Sequence, residues 1–294
     1  MLDVCFGTER TVYGALVCVI IDGVPMQRSS RTQEERATPG GSVGDRVTYV
    51  GHATVLVELE GKRLLTDPVL RGGLGPLRRQ GGNPPAEVIE RIDAILVSHL
   101  HLDHSDRRSL RRLHGEIPVL CPPRTGKFLR RAGFASVTEL APGESETVAG
   151  LRIEATRADH AGRRHPLSRT NAEAIGFQLL GRRRIYFAGD TDLFDEMKSL
   201  GGDLDLALLP VWGWGTSVGA GHLDPERAAQ AAALLNPRIA VPIHWGTFFP
   251  LGLARWRPEF LRDPPHRFAR LVGELAPQVE VRVLGPGEST ALSR

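Results

Sequence analysis

The sequence predicts an α/β fold in which two mixed sheets pack face to face and helices cover their outer faces, an αββα sandwich. Three observations lead to this prediction. Runs of residues typical of strands cluster early in the chain and again in its middle, and predicted helices follow each cluster. The 294 residues, 41% of them hydrophobic, are enough for one large core. No segment repeats at the period of a solenoid, so layered sheets and helices accommodate this order of elements.

The first 45 residues are expected to lie outside this fold. Residues 27–46 (QRSSRTQEERATPGGSVGDR) are polar and rich in Ser, Gly and charge, which is typical of a linker or a disordered segment. Residues 12–21 are apolar but too few to cross a bilayer, and no signal-peptidase motif follows them. We therefore expect 1–45 to be a disordered or loosely packed extension and 46–294 to be one folded domain.

Strands are predicted to begin just after this extension. They are expected at 47–50, 53–59, 63–66, 94–98, 117–120, 137–140, 145–149, 151–157, 174–180, 184–188, 205–210, 238–243 and 279–284. Helices are expected at 85–91, 106–114, 124–132, 225–235 and 265–275. Residues 71–84 are rich in Gly, Pro and Arg and are predicted to form a loop.

Charge and cysteine content narrow the class of protein. The formal net charge is only +3, and a stripe of arginines on the predicted helix 106–114 is interpreted as a solvated face with a weak preference for anionic substrates. Cys5, Cys18 and Cys121 are widely spaced and fit no metal-binding pattern. This cysteine usage indicates a reduced chain, and we expect a cytoplasmic location.

The strongest chemical signal is the run SHLHLDH at residues 98–104, directly after a buried strand. Imidazole nitrogens suit zinc, and a carboxylate oxygen adds a harder ligand. Alternate residues of an extended chain point the same way, so His99 and His101 can hold one ion. Asp103 and His104 follow as the chain turns into the next helix, which displaces them toward a second ion.

Four more residues of metal-binding type stand at the ends of predicted strands, each before a small residue or a turn. They are Asp67, His160, Asp190 and His244. Taken singly, each is an ordinary turn residue or a buried histidine. Loops that follow strands gather at one rim of a sheet sandwich, so these side chains can join the HxHxDH run.

In chain order, these residues resemble the five-motif series of the metallo-β-lactamase superfamily, over about residues 46 to 290. The resemblance implies one ion held by His99, His101 and His160. It implies a second ion held by Asp103, His104 and His244. Asp190 would then bridge the two ions, and Asp67 would orient a ligand from behind. We expect two divalent ions per chain, with Zn²⁺ favoured over Mn²⁺ or Fe²⁺, and hydrolysis by a water molecule activated between them.

Finer motifs narrow the branch. The runs GHLDPERA at 221–228 and VPIHWGTF at 241–248 are similar to the N-acyl-phosphatidylethanolamine phospholipase D branch and, more distantly, to the ascorbate-phosphate lactonases. In the former branch a histidine before this helix start lies at the active site, and His222 occupies the matching position. The resemblance implies a phosphodiesterase with a small-molecule or lipid-like anionic substrate and possible peripheral contact with a membrane. Asp103 and His222 are its candidate catalytic residues. A lactonase or related C–O ester hydrolase is the alternative.

The runs RRH at 163–165 and WGWG at 212–215 match nothing in that branch, and the remaining histidines and tryptophans have more than one interpretation. Arg163 and Arg164 follow His160 and are candidates for pairing with a phosphate, with a solvated loop as the alternative. His165 is a candidate substrate contact. His52, between two strands, either packs in a turn or supports the metal site. His114 and His266 are expected at the surface, whereas Trp212, Trp214 and Trp245 pack in the core or line an apolar pocket.

Three other functions compete with these. A nuclease of the superfamily would carry an inserted domain between Asp190 and His244, and the stretch is too short for one, so no nucleic acid is expected as a partner. A diiron redox protein would favour Glu where His101 stands and would add a flavodoxin domain. The sequence has neither feature, so this function is disfavoured. An inactive metal-binding scaffold is disfavoured by the complete ligand set.

Overall fold

The computed structural model describes residues 44–162, 172–213, 215 and 217–293. Apart from Gly44 and Asp45, the proposed extension 1–45 lies outside the described residues. Asp45 itself is tied to the domain, because its carbonyl accepts from Leu292 N at 2.7 Å and its Oδ1 accepts from Glu60 N at 2.9 Å. Within the described part of the chain, no helix is long and apolar enough to cross a membrane.

The described residues form seventeen strands, four α-helices and three short 3-10 helices. The strands are β1 (Arg46–Gly51), β2 (Thr54–Leu59), β3 (Lys62–Thr66), β4 (Gly73–Leu74), β5 (Leu77–Arg79), β6 (Ala94–Leu96), β7 (Val119–Cys121), β8 (Val137–Glu139), β9 (Ser145–Val148), β10 (Leu151–Arg157), β11 (Ile175–Leu180), β12 (Arg184–Phe187), β13 (Leu206–Pro210), β14 (Ile239–Ile243), β15 (Phe248–Pro250), β16 (Glu280–Val281) and β17 (Ser289–Ala291). The α-helices are α1 (Arg107–Leu113), α2 (Gly126–Ala132), α3 (Pro225–Leu235) and α4 (Glu259–Leu275). The 3-10 helices are Ala86–Ile89, Asp195–Leu200 and Leu253–Arg255.

Two seven-stranded mixed sheets make up the sandwich. The first has the order β17-β1-β2-β3-β6-β7-β8 and the second the order β16-β14-β13-β12-β11-β10-β9. A third sheet of three short strands, β15-β5-β4, is added beside them. The predicted fold class, two mixed sheets with helices outside, is confirmed.

Alternation along the strands explains the layers. In β2, Val55 and Val57 point to one face and pack with Phe177 of the second sheet in the main core. Leu56 points to the other face and packs with Leu110 of α1 in a separate cluster. The first sheet therefore buries one face against its partner sheet and the other against α1 and α2. On the second sheet, α3 buries a face of alanines that lets it lie close to β13.

The parallel strands direct the functional loops to one rim. β3 pairs in parallel with β6, and β12, β13 and β14 pair in parallel in the second sheet. Their carboxyl ends lead directly into the segments that carry the predicted ligands. Loops from both sheets consequently meet where chemistry was expected from the sequence.

Several elements differ from the sequence prediction. The segment 71–84, predicted to be a loop, contains β4 and β5, because β5 finds a partner in the distant strand β15. The last helix was predicted to begin at 265 but begins at Glu259, and Pro264 and Pro265 lie inside it. Both prolines are buried, and packing against α3 compensates for the missing N–H donors that made them look like a boundary. The short strands β15 and β17 and the 3-10 helices Asp195–Leu200 and Leu253–Arg255 were not predicted.

Candidate metal centre

The HxHxDH run lies between a strand end and a helix start. β6 ends at Leu96, and α1 begins after Asp106, whose carboxylate accepts a hydrogen bond from Ser109 N at 2.9 Å. This cap fixes where the helix begins. The intervening residues are therefore held in a compact loop, in which His104 N and Ser105 N both donate to the carbonyl of His101.

One cluster of side chains contains His99, His101, His160 and Asp190. One donor atom from each lies within 4.8 Å of all the others. His160 Nε2 is 3.1 Å from His101 Nδ1, and His99 Nε2 is 3.9 Å from Asp190 Oδ2. This is the group that the sequence suggested for the first ion.

The second cluster contains Asp103, His104 and His244 together with His52, again within 4.8 Å of one another. His104 Nε2 lies 3.1 Å from His244 Nε2. Asp190 also reaches these residues, since its Oδ2 is 3.1 Å from His104 Nε2 and its Oδ1 is 3.3 Å from His244 Nε2. The carboxylate of Asp190 thus lies between the two clusters.

Asp67 is fully buried behind the second cluster, and its backbone has a left-handed φ of 33°. Its Oδ1 accepts from Ser98 N at 2.7 Å, and its Oδ2 accepts from His104 Nδ1 at 2.7 Å and from Ser98 Oγ at 2.5 Å. Ser98 Oγ in turn accepts from His99 Nδ1 at 2.9 Å. One carboxylate consequently fixes the ring orientation of two histidines, directly and through Ser98.

Backbone carbonyls orient the other imidazoles. His160 Nδ1 donates to Gly221 O at 2.7 Å, and His244 Nδ1 donates to Trp212 O at 2.5 Å. With that proton on Nδ1, the Nε2 atom of each neutral ring presents its lone pair to the clusters. His99 Nε2 is buried and has no hydrogen-bond partner among the described residues. Such an orphaned acceptor, surrounded by other acceptors, indicates a place for a cation.

The electrostatics agree with this. Burial lowers the pKa of His101 to about 4 and that of His244 to about 3, and it also lowers the pKa of His99 and His160. These rings are therefore neutral and able to ligate at neutral pH.

The two carboxylates keep their charge. Despite burial, neighbouring imidazoles, above all His104, hold the pKa of Asp103 and Asp190 well below the usual range. His104 itself is buried, yet the carboxylates of Asp190 and Asp103 raise its pKa well above the ordinary value. A buried site that favours positive charge to this degree fits a bound cation. The donor set, imidazole nitrogens with carboxylate oxygens, fits a pair of divalent ions.

His222 lies at the mouth of the site. Its Nε2 is 3.5 Å from Asp190 Oδ2, and its ring centre is 4.5 Å from that of His160. Its Nδ1 lies 3.2 Å from the carbonyl of Ala220, to which it can donate. The side chain is 28% exposed, so this imidazole faces both solvent and the clusters.

His52 is the site residue that sequence reasoning left unresolved. Its Nε2 lies 3.0 Å from Asp103 Oδ2, and its ring centre is 3.7 Å from that of His244. The β1–β2 turn places it there with a left-handed φ of 60°, after Gly51 at φ 127°. The Gly-His pair between two strands was the available signal, but the pairing with Asp103 depends on a contact 51 residues away.

The remaining predicted residues have different outcomes. Trp245 is core packing, because it is buried and stacks on Tyr49, whereas Trp212 stacks on Phe260 and is half-buried. His114 and His266 are exposed, as predicted. The candidates Arg163, Arg164, His165 and Trp214 lie outside the described residues.

Comparisons with known proteins place this geometry in context. The model of the β-lactamase superfamily domain matches residues 62–245. An N-acyl-phosphatidylethanolamine-hydrolyzing phospholipase D of Caenorhabditis elegans is 32% identical over 250 residues, which cover 76% of this chain and 69% of that one. A metal-dependent hydrolase of Rubrobacter xylanophilus is 33% identical over 259 residues. The matched region covers 83% of this chain and 96% of that one. The solved structure of Igni18, a metallo hydrolase from Ignicoccus hospitalis, superimposes with a TM-score of 0.63 at 27% identity, over 84% of this chain and 97% of that one.

Proposed function

Because this chain belongs to the metallo-β-lactamase superfamily and is a metal-dependent hydrolase, we propose that it is a dinuclear phosphodiesterase for a lipid-like anionic substrate. The observation that carries the dinuclear part is the position of Asp190. Its two carboxylate oxygens face His104 and His244 of one cluster, and its Oδ2 also faces His99 of the other.

The proposed ligands follow the two clusters. His99, His101 and His160 are assigned to the first ion, and Asp103, His104 and His244 to the second, with Asp190 shared. Zinc is favoured because five of these seven side chains are imidazoles. When bound, two such ions lower the pKa of a water molecule and polarise the scissile bond.

The protein side chains have separate roles in this proposal. Asp67 and the carbonyls of Gly221 and Trp212 keep the imidazole lone pairs directed inward. His222, half-exposed beside Asp190, is placed to hold a proton at Nε2 for the leaving-group oxygen. Asp103 contributes a negative charge that His52 holds in place.

The substrate class rests on two supports. The relative from Caenorhabditis elegans is named for hydrolysis of an N-acylated phospholipid, and the run GHLDPERA around His222 resembles that branch. A cavity of about 650 Å³ opens beside His160 and has Arg157, Asp159 and Glu173 in its wall. It is of the size that small-molecule sites usually have, and its wall combines apolar surface with these charged side chains.

A side-by-side assay tests the proposal. The zinc-loaded protein is given a phospholipid, an aryl phosphodiester and a panel of lactones, and kcat/KM is measured for each. We expect diester cleavage, and we expect His222→Ala to lower kcat by about 100-fold or more with metal content unchanged. His114→Ala is the matched control. His114 is an exposed histidine at the end of α1, so this variant should keep full activity. Efficient lactone turnover with negligible diester cleavage would contradict the proposal and favour the lactonase alternative.

A further inference from the structure

A second pocket, whose surface is mostly apolar, opens beside the second cluster. It has a volume of about 250 Å³, and its walls come from the β4–β5 hairpin and from the HxHxDH loop. Leu74, Pro76 and Leu77 form one wall, and Leu102 forms the other. Asp103, a proposed ligand of the second ion, also lines the pocket. We propose that this pocket binds an alkyl group of the substrate, an inference that rests on the proposed hydrolytic function.

The charged side chains in the pocket do not favour an ionic occupant. Arg71 Nε lies 3.0 Å from Asp106 Oδ2, so the one guanidinium in the wall is already paired with a buried carboxylate. The same carboxylate oxygen accepts from Ser109 N and Ser109 Oγ at 2.9 and 2.7 Å. Asp103 is held by His52 and faces the second cluster. Most of the remaining wall is the apolar surface of Leu74, Pro76, Leu77 and Leu102.

The pocket is preformed rather than assembled from free loops. β4 and β5 pair with each other, and β5 pairs with β15, whose Phe248 is buried. Arg79, at the end of β5, donates to the carbonyls of Val50 at 3.2 Å and Arg71 at 3.2 Å and also to that of Val69. One buried guanidinium thus ties the hairpin to the turn that carries His52.

Leu102 connects the pocket to the reaction centre. It lies between the proposed ligands His101 and Asp103, yet its own side chain is 53% exposed. An alkyl group in the pocket would cover this leucine and would extend directly from a scissile bond at the metal clusters. The volume holds about eight methylene groups, taking each at roughly the 30 Å³ of a water molecule. The geometry points to a substrate with a medium-length chain next to the bond that is cleaved.

The test is a binding series that does not depend on turnover. Alkylphosphonates from ethyl to octyl are titrated calorimetrically into the metal-loaded full chain. Burial of one methylene group contributes about 0.8 kcal/mol, so each added carbon should tighten binding about threefold to fourfold until the pocket is full. Affinities that do not change with chain length would overturn the proposal.

Two variants locate the effect. Leu77→Trp fills the pocket, and Leu102→Gln makes its rim polar; both should reduce the octyl-to-ethyl affinity ratio at least tenfold while ethylphosphonate binds as before. Leu275→Gln is the matched control, because Leu275 is also 53% exposed but lies at the end of α4. Leu102→Gln does not disturb the core, so it keeps the test decisive if Leu77→Trp folds poorly. A ratio unchanged in Leu102→Gln would contradict the assignment.

The outcome is separable from that of the proposed function. If the protein cleaves lactones and not diesters, the phosphodiesterase proposal fails, while a chain-length dependence measured on alkyl-substituted lactones still supports the pocket. If diesters are cleaved with no preference for chain length, the phosphodiesterase proposal stands and the pocket proposal fails.

Discussion

His52 Nε2 lies 3.0 Å from Asp103 Oδ2, which ties the β1–β2 turn of the first sheet to the HxHxDH loop. The pairing is buried on the His52 side, and the ring of His52 lies against that of His244 at an angle of 38°. His52 Nδ1 has no hydrogen-bond partner among the described residues, so the ring proton belongs on Nε2, where it is donated to the carboxylate. The turn therefore holds a proposed metal ligand in position.

Removal of this contact should weaken the second ion selectively. In His52→Asn the side chain tolerates the left-handed backbone but is too short to reach Asp103. We expect the affinity of the second ion to fall by about 10- to 100-fold, as is usual when a partner of a metal ligand is lost. Competition with a chromogenic chelator measures both affinities. If the affinities of both ions were unchanged, His52 would contribute only to packing and not to metal binding.

Asp190 and Asp67 should differ in their effect on metal content. Asp190→Ala removes the carboxylate that faces both clusters, so both ions should be lost at submicromolar free zinc. Asp67→Ala leaves every proposed ligand in place and removes only the partner of His104 and Ser98. This variant should retain zinc with reduced affinity. Elemental analysis of both variants measures the zinc that each retains. A greater loss of zinc in Asp67→Ala than in Asp190→Ala would argue against a bridging role for Asp190.

The hydroxyl of Tyr49 should contribute to stability near the site. It donates to Trp245 O at 2.6 Å and accepts from His52 N at 3.0 Å and Trp245 N at 3.2 Å. Tyr49→Phe leaves these buried backbone groups with fewer partners and should lower the free energy of unfolding by about 1–3 kcal/mol. Tyr186→Phe is the control, since the equally buried hydroxyl of Tyr186 faces the side chain of Thr156 and satisfies no backbone group among the described residues. Equal losses in urea unfolding would contradict this account.

The metal-free protein should lose stability as the pH falls below neutrality. Burial lowers the pKa of His101 from 6.5 to about 4 and that of His244 to about 3. Between pH 6.5 and about 4, the unfolded chain therefore binds more protons than the folded chain, and the free energy of unfolding falls with the pH. The raised pKa of His104 acts in the opposite sense, but only above 6.5, where the unfolded imidazole is neutral.

Urea unfolding in the presence of a chelator measures this dependence. The midpoint at pH 5 should be clearly lower than at pH 7, and His101→Ala should reduce the difference, whereas His114→Ala, at an exposed position, should not. A midpoint that rises toward pH 5 would show that His101 and His244 are protonated in the folded state.

The sequence predicted those features that depend on residues close together in the chain. Runs of residues typical of strands predicted most strands, and residues of metal-binding type at strand ends predicted the loops that meet at the rim. Asp67, the HxHxDH run, His160, Asp190 and His244 are indeed brought together. Short-range pattern suffices here because parallel strands send their carboxyl ends to the same edge.

What could not be predicted depends on partners distant in the chain. The β4–β5 hairpin is stable only because β15 pairs with it across about 170 residues of sequence. The role of His52 depends on Asp103, and the helical state of Pro264 depends on its burial against α3. In each case tertiary contacts outweigh the local conformational propensity, which depends only on neighbouring residues in the sequence.

The number of metal ions per chain tests the central claim most directly. The protein is purified gently, supplemented with zinc, dialysed against metal-free buffer and measured by plasma mass spectrometry against quantitative amino-acid analysis. Two ions per chain are expected, because the two clusters and the shared carboxylate of Asp190 provide a place for each. One ion or none after zinc supplementation would contradict a dinuclear centre.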